Sequence, residues 1–241
     1  MLRVTSLLAL ALALSTGCAS YAPPVRSPTY GAPGRLRQGD LEIAGGGAGA
    51  IAPVGAYAGW LAYGVRDWAS VELGVDGSRN GWAMGFLGGR FTHAPKRERK
   101  LHGALDGEVG VGMGAGGNDH CDAQETRCSQ RKWNQRVAFG SYLGGGAGYH
   151  FSWFALYARG RIQQTVSDGL PATVWGTLHG GLQFRIARTV DLFAGTGLSG
   201  FFTAQSPNSY FWSSDAGISV HFDVRGRRGK SQARRGVRLR M

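Results

Sequence analysis

Histidine and serine are the residue types in this sequence that could form a nucleophilic site. A serine hydroxyl attacks an acyl carbon when a histidine within hydrogen-bond reach takes its proton and a third group orients that histidine. No spacing in the sequence pairs a particular histidine with a particular serine, so we assign no catalytic residue and expect structural roles for the histidines. The side chains available to such a site are His102, His150, His179, His221, Ser141, Ser199 and Ser213.

The N-terminal residues 1–17 have the composition of a signal peptide. Arg3 precedes an apolar run that ends at Leu14, and small residues follow up to Cys18. The run is too short for a membrane helix, which needs roughly 20 apolar residues. The residues before Cys18 resemble the lipobox of bacterial lipoproteins, so we predict that Cys18 is lipidated, with cleavage of an ordinary signal peptide as the alternative. Residues 18–39, rich in Pro and Gly, are then predicted to form an extended tether.

Two further cysteines, Cys121 and Cys128, lie seven positions apart in a polar, turn-rich stretch. In an exported protein such a pair persists as a disulfide, and we predict one here. A metal site is the alternative, but it would lack a second closely spaced pair of ligands, so we assign no metal and no cofactor. The ligands of that alternative would be Asp119, His120, Cys121, Asp122 and Cys128.

The formal net charge of +12 is concentrated in two places, at Lys96–Lys100 and from Arg225 to Arg240. Residues 223–241 are therefore predicted to form a basic, disordered tail, because such a composition cannot bury apolar surface. Contact of this tail with anionic headgroups or other envelope polyanions is the functional alternative. Nucleic acid is not an expected partner, since the chain is exported and contains no recognition module.

The sequence between Leu41 and Phe222 alternates apolar and polar residues, which is the pattern of β-strands. Glycine-rich pieces such as GGGAGA and GMGAGG lie inside these alternating stretches and lack the Lys and following helix of a phosphate loop, so they are strand glycines. Aromatic residues near strand ends, among them Trp60 and Tyr157, are typical of membrane interfaces. We predict strands at residues 41–49, 54–65, 68–77, 81–93, 101–115, 136–150, 153–166, 173–186, 189–203 and 209–222.

One face of these strands carries charges of both signs in mid-strand. In a narrow membrane barrel such groups pair across the interior while the apolar face contacts lipid. A soluble barrel would turn the apolar face inward, with Leu182, Phe184, Ile218 and Val220 in its core. We predict the membrane arrangement, with a lumen charge network of Glu72, Asp106, Glu108, Arg159, Arg161, His179, Arg185 and Asp215.

Connections at one side of the predicted sheet are mostly tight, as at residues 66–67 and 187–189, whereas the other side includes the long stretch 116–135. The repeated strand–turn–strand units AYGVRDWASVELGV, GYHFSWFALYARG and FRIARTVDLFAG share this design, and the last strand ends in GISVHF. On these patterns the chain resembles the bacterial outer-membrane β-barrel superfamily of small porin-like proteins.

The resemblance implies an all-β, antiparallel, up-and-down transmembrane β-barrel of about ten strands over residues 40–222, with eight strands as the alternative. It implies the outer membrane of a Gram-negative-type bacterium, outer-membrane lipids as partners and both termini in the periplasm. We expect a structural or interaction role, or a narrow channel, without identified catalysis; oligomeric state stays open. The alternatives are a lipid-modifying acyl hydrolase or transferase with a His and Ser at one rim, and a lipid-tethered soluble β-barrel that binds an apolar ligand.

Overall fold

The computed structural model describes residues 22–27, 29, 31–34, 36–50, 56–78, 82–95, 101–119, 133–204 and 206–224. Within them the chain forms ten antiparallel strands that close into one barrel. No helix of the described residues is long and apolar enough to span a bilayer. The strands are β1 Asp40–Ala50, β2 Ala56–Arg66, β3 Ala69–Ser78, β4 Ala83–His93, β5 His102–Asp119, β6 Trp133–His150, β7 Phe154–Ser167, β8 Leu170–Ala187, β9 Val190–Thr203 and β10 Ser206–Asp223.

Each strand pairs with its sequence neighbours, and β1 pairs with β10 to close the barrel, from Asp40 opposite Asp223 to Ala50 opposite Ser213. Closure leaves no strand edge open to other chains. The predicted up-and-down barrel of ten strands is therefore confirmed. Every strand end lies within about four residues of its predicted position, because the alternation that marks a strand is a direct product of the period-two backbone.

The outer face of the barrel is apolar and the interior is polar. Leu178 and Ile162 are each 65% exposed on the outside, whereas Arg161 and His179 on the inside are at most 2% exposed. A water-soluble protein buries its aliphatic residues and exposes its charges, so this surface suits a lipid environment. A soluble barrel would bury Leu182, Phe184 and Ile218 in its core, but these side chains point outward.

Two of the aromatic residues expected near the membrane interface point into the lumen instead. Trp60 is 4% exposed and Tyr157 is 6% exposed, while Leu61 and Leu156 beside them face outward. The reason is strand parity, since adjacent residues of a strand lie on opposite faces. The interface prediction was therefore wrong for these two residues.

The two ends of the barrel differ in their connections. At the end we call the turn end, the connections 67–68, 151–153 and 188–189 are tight. The opposite end, the loop end, includes the longest connection, residues 120–132. The loop end also has two short connections, between β7 and β8 and between β9 and β10, where longer ones were predicted, because β8 and β10 each begin three residues earlier than expected.

Within the stretch predicted to be a tether, the described residues between 22 and 34 lie in the lumen and are buried or half-buried, whereas Arg37 is exposed. We call the described residues 22–27, 29 and 31–34 the plug. Its loop-end contact is Trp175 Nε1, which donates to Ala22 O at 3.0 Å. Its turn-end contact is His150 Nε2, which lies 2.6 Å from Pro33 O. The chain then reaches the turn end, where Gly39 N donates to Gly64 O, and enters β1. A segment without strand partners stays inside the barrel because lumen side chains satisfy its backbone groups.

Candidate functional site

The best-defined polar contact of the plug is made by Arg26, in the middle of the lumen. Its Nη1 lies 2.8 Å from Glu72 Oε2 and 3.3 Å from Glu108 Oε2. The guanidinium carbon also lies 4.2 Å from the ring centre of Phe86, within cation–π distance. All three polar side chains are at least nine-tenths buried. Arginine stays charged in such surroundings, so the plug supplies a positive charge to a pair of buried carboxylates.

Glu108 joins this contact to a wider network. Its Oε1 accepts from Arg161 Nε at 2.6 Å, and its Oε2 lies 3.7 Å from Arg159. Arg159 also pairs with Asp106 at 3.0 Å, and Glu72 is bound by Arg90. The structure thus brings together five residues of the predicted network and adds Arg26 and Arg90. The seven are Arg26, Glu72, Arg90, Asp106, Glu108, Arg159 and Arg161.

Backbone groups of the plug are held by lumen side chains in place of a β-ladder. Gln163 accepts from Arg26 N at 2.8 Å and donates to Arg26 O at 2.8 Å. Arg161 donates to Ser27 O at 2.8 Å, and Ser27 N donates to Asp76. Two consecutive plug residues therefore have their backbone donors and acceptors satisfied by three strand side chains. This gives the plug one fixed position rather than a loose fit.

The remaining predicted network residues form two further groups. His179 and Asp215 form a second cluster beside the first, since His179 of β8 lies opposite Arg159 of β7. Arg185 lies at the turn end, where it binds Asp191 at 3.2 Å with half of its side chain exposed. The residues expected to form a single network therefore form three groups of paired charges, of which the first two are neighbours on β7 and β8.

The second cluster contains a serine, a histidine and an aspartate in hydrogen-bonded order. His179 Nδ1 lies 3.0 Å from Asp215 Oδ1, and His179 Nε2 lies 2.8 Å from Ser213 Oγ. Ser199 Oγ lies 2.7 Å from Ser213 Oγ and 3.4 Å from His179 Nε2. Each of these side chains is at most 4% exposed. The arrangement has the connectivity of a Ser-His-Asp triad.

Strand register explains how these side chains meet. His179 of β8 lies opposite Gly197 of β9, and Gly197 lies opposite Ser213 of β10. Because Gly197 has no side chain, the imidazole of His179 can extend across β9 to the next strand. A Cβ at Gly197 would lie 2.6 Å from the Cα of His179, and a Cβ at Gly195 would lie 2.8 Å from Asp215 Oδ1. The absence of side chains at Gly195 and Gly197 of β9 thus leaves the space that His179 and Asp215 occupy.

The other candidate residues do not form this arrangement. His102 and His150 stack on each other at the turn end with ring centres 4.8 Å apart. His221 contacts Ser219 and Asp191. Ser141 faces outward. Among the predicted candidates, a histidine comes within hydrogen-bond reach of a serine only at His179, which contacts Ser199 and Ser213.

A cavity of about 40 Å³ lies beside the two serines in the loop half of the lumen. Its walls include Ser199, Ser213, Trp175, Phe211 and Met84, and the plug contributes Pro23 and Pro24. By volume it holds roughly three water molecules. It is the space in which a small molecule would meet Ser213.

Several sequence predictions fall on residues outside the described ones and stay predictions. They are lipidation at Cys18, the Cys121–Cys128 disulfide, and the roles of Lys96–Lys100 and Arg225–Arg240. The alternative metal site lies there too, except for Asp119. In the part of the chain that the structure describes, no group of three or more His, Cys, Asp or Glu side chains is placed to hold a metal ion.

Comparison with known proteins finds no matching family model and no matching curated sequence. Among solved structures, the N-terminal β-barrel domain of Pseudomonas aeruginosa OprF is 15% identical with a TM-score of 0.38, and the alignment covers 77% of this chain and 98% of that one. The KdgM porin is 6% identical with a TM-score of 0.35, covering 75% and 99%. Ail of Yersinia pestis is 11% identical with a TM-score of 0.24, covering 77% and 99%. Sequence identities and TM-scores this low do not indicate a shared function.

The closed strand order, the apolar exterior and the charged interior are those of a bacterial outer-membrane β-barrel.

Proposed function

We propose that the protein is an outer-membrane barrel whose lumen is kept closed by its own plug, and that it has a structural or interaction role rather than that of an open porin. The observation that carries the proposal is the docking of Arg26 between Glu72 and Glu108. Arg26 is itself buried, and an unpaired buried charge is costly, so its two carboxylate partners hold this part of the plug in place.

The width of the barrel supports the same conclusion. At eight to ten strands, a barrel interior is about wide enough to be filled by side chains. Here it holds a peptide segment in addition, and the lumen residues that contact this segment, such as Gln163 and Arg161, are almost fully buried. The turn half of the lumen is more open and holds a cavity of about 560 Å³ lined by Trp60, Gln183 and His221, so the lumen is closed at the level of Arg26 and not along its whole length.

The orientation in the membrane follows from the connections. Outer-membrane barrels have short turns on the periplasmic side and longer loops on the outer side. The turn end would then face the periplasm and the loop end the cell surface. In that orientation Ala22 lies toward the surface side and Asp223 toward the periplasm, so the two ends of the described chain lie on opposite sides.

Conductance in a planar lipid bilayer tests the proposal. The wild-type protein is expected to give no steady ion current, because the plug and the side chains that bind Arg26 block the middle of the lumen. Arg26→Ala removes the charge that holds the plug and is expected to produce transient openings. The matched control is Arg185→Ala, which removes a half-exposed arginine at the turn end and should behave as the wild type. Steady conductance of the wild-type protein at low voltage would contradict the proposal.

A further inference from the structure

We propose that Ser213 is the nucleophile of an acyl-hydrolase site inside the loop half of the barrel, with His179 as its general base and Asp215 as the positioning residue. The substrate class is a small carboxylic ester with an apolar acyl group. This inference is independent of whether the plug closes the lumen to ions.

The hydrogen bonds of His179 define the direction of proton transfer. A carboxylate only accepts hydrogen bonds, so the 3.0 Å contact with Asp215 places the proton of the imidazole on Nδ1. Nε2 is then an acceptor, and the hydroxyl of Ser213 at 2.8 Å must donate to it. Ser199, at 2.7 Å, in turn donates to Ser213 Oγ. The chain Ser199 to Ser213 to His179 to Asp215 is the order that activates a serine hydroxyl.

A second trio of the same residue types in this barrel lacks that order. Ser219 Oγ and Asp191 Oδ2 both approach the same nitrogen of His221, Nε2, at 3.4 and 3.3 Å. One nitrogen cannot accept from the serine while donating to the aspartate, so that trio cannot relay a proton. The two clusters contain the same residue types, and only the one at Ser213 has the relay geometry.

The position of the site determines the kind of substrate. Ser213 lies on the lumen side and is 2% exposed, so a lipid in the bilayer cannot reach it from the outer face. A lipid-modifying site at a rim, one of the alternatives considered from the sequence, does not fit this placement. The cavity beside Ser213 is small, and Trp175, Phe211 and Met84 give it an apolar wall. A short apolar acyl group matches that wall.

The reaction is ordinary acyl transfer. Ser213 Oγ forms a bond to the carbonyl carbon of the ester while its proton passes to His179 Nε2. The bond from that carbon to the alcohol oxygen breaks, and the proton on Nε2 goes to the leaving alcohol. Water then attacks the acyl-serine, giving its proton to His179, and releases the carboxylic acid together with the regenerated serine. Ser199, whose Oγ lies 2.7 Å from Ser213 Oγ, would then donate to the oxyanion that forms on the carbonyl oxygen.

Covalent labelling with diisopropyl fluorophosphate, located by peptide mass spectrometry, tests the proposal. The folded wild-type protein is expected to carry the adduct on Ser213, and Arg26→Ala is expected to react faster because its plug is less tightly held. Ser213→Ala should abolish labelling. Ser219→Ala, a serine on the same strand and the same face, should leave it unchanged. The mobility difference between unheated and heated samples on gels shows that each variant is folded.

Hydrolysis of p-nitrophenyl acetate separates a catalytic from a structural role. His179→Gln and Asp215→Asn should lower kcat by about 10²- to 10⁴-fold, the contribution typical of a general base. KM should change little, because neither residue lines the acyl cavity. Absence of an adduct at Ser213 in both the wild-type protein and Arg26→Ala would overturn the proposal. Equal labelling of Ser213→Ala and the wild type would overturn it as well.

Discussion

The contact of Arg26 with Glu72 is the most informative place to perturb the plug. Arg26→Ala removes two charge-assisted hydrogen bonds, to Glu72 at 2.8 Å and Glu108 at 3.3 Å. At about 1.5 kcal/mol each, near the low end of the range for charged partners, the loss is about 3 kcal/mol. Because 1.4 kcal/mol corresponds to a factor of ten, the undocked population of the plug should rise on the order of 100-fold.

The assay is the reaction of a thiol placed on the plug. Ser27→Cys, in a background whose native cysteines are replaced by serine, puts a thiol at a position that is 3% exposed when the plug is docked. A water-soluble maleimide then reacts at a rate set by the undocked fraction, provided that redocking is faster than labelling. We expect labelling about 100-fold faster with Arg26→Ala and unchanged with the control Arg185→Ala.

A double-mutant cycle with Glu72→Gln completes this experiment. Glu72→Gln alone removes one of the two contacts and should accelerate labelling about tenfold. When Arg26 is already replaced by alanine, Glu72 has no plug arginine to bind, so adding Glu72→Gln should not make labelling faster than with Arg26→Ala alone. Independent effects would instead multiply to about 1,000-fold. That multiplicative result would refute the docking of Arg26 on Glu72.

Two further predictions concern the barrel itself. Leu178→Arg, on the exposed outer face in the middle of β8, should lower the free energy of unfolding in lipid vesicles by about 2–4 kcal/mol. The control Leu101→Arg lies outside the strands and should lower it by about 1 kcal/mol or less. Equal losses of stability for the two variants would contradict a lipid-facing β8. Gly197→Ala should cost about 1–3 kcal/mol, because its Cβ would meet the backbone of Leu178 and His179. The control Gly176→Ala, whose Cβ would meet nothing within 4 Å, should leave the free energy of unfolding unchanged or slightly higher. A similar loss of stability in both variants would contradict the close approach at Gly197.

The barrel was predictable because alternation is a local property. Glu108 and Arg161 alternate with outward residues along their own strands, so their shared lumen face can be read from each strand separately. The same parity places Arg90, Trp60 and Tyr157 inside the barrel. The general preference of aromatic residues for membrane interfaces predicts the wrong position for Trp60 and Tyr157.

The plug and the serine cluster were not predictable in the same way. Arg26 lies in a Pro-rich stretch without periodicity, and nothing local in its sequence indicates that it docks on carboxylates of β3 and β5. His179 and Ser213 lie on strands separated by β9, so their meeting depends on two strand registers and on the absence of a side chain at Gly197. Register between strands is set by the fold as a whole.

Quenching of tryptophan fluorescence by bromine atoms on lipid acyl chains tests the central claim most directly. Trp212 is 53% exposed on the outer face, level with Leu198 and Leu178 in the middle of the sheet, and Trp175 is 2% exposed in the lumen. In single-tryptophan variants reconstituted with brominated lipid, we predict strong quenching of Trp212 and little quenching of Trp175. Equal quenching of both, or none of either, would contradict a membrane barrel with an apolar exterior and a filled lumen.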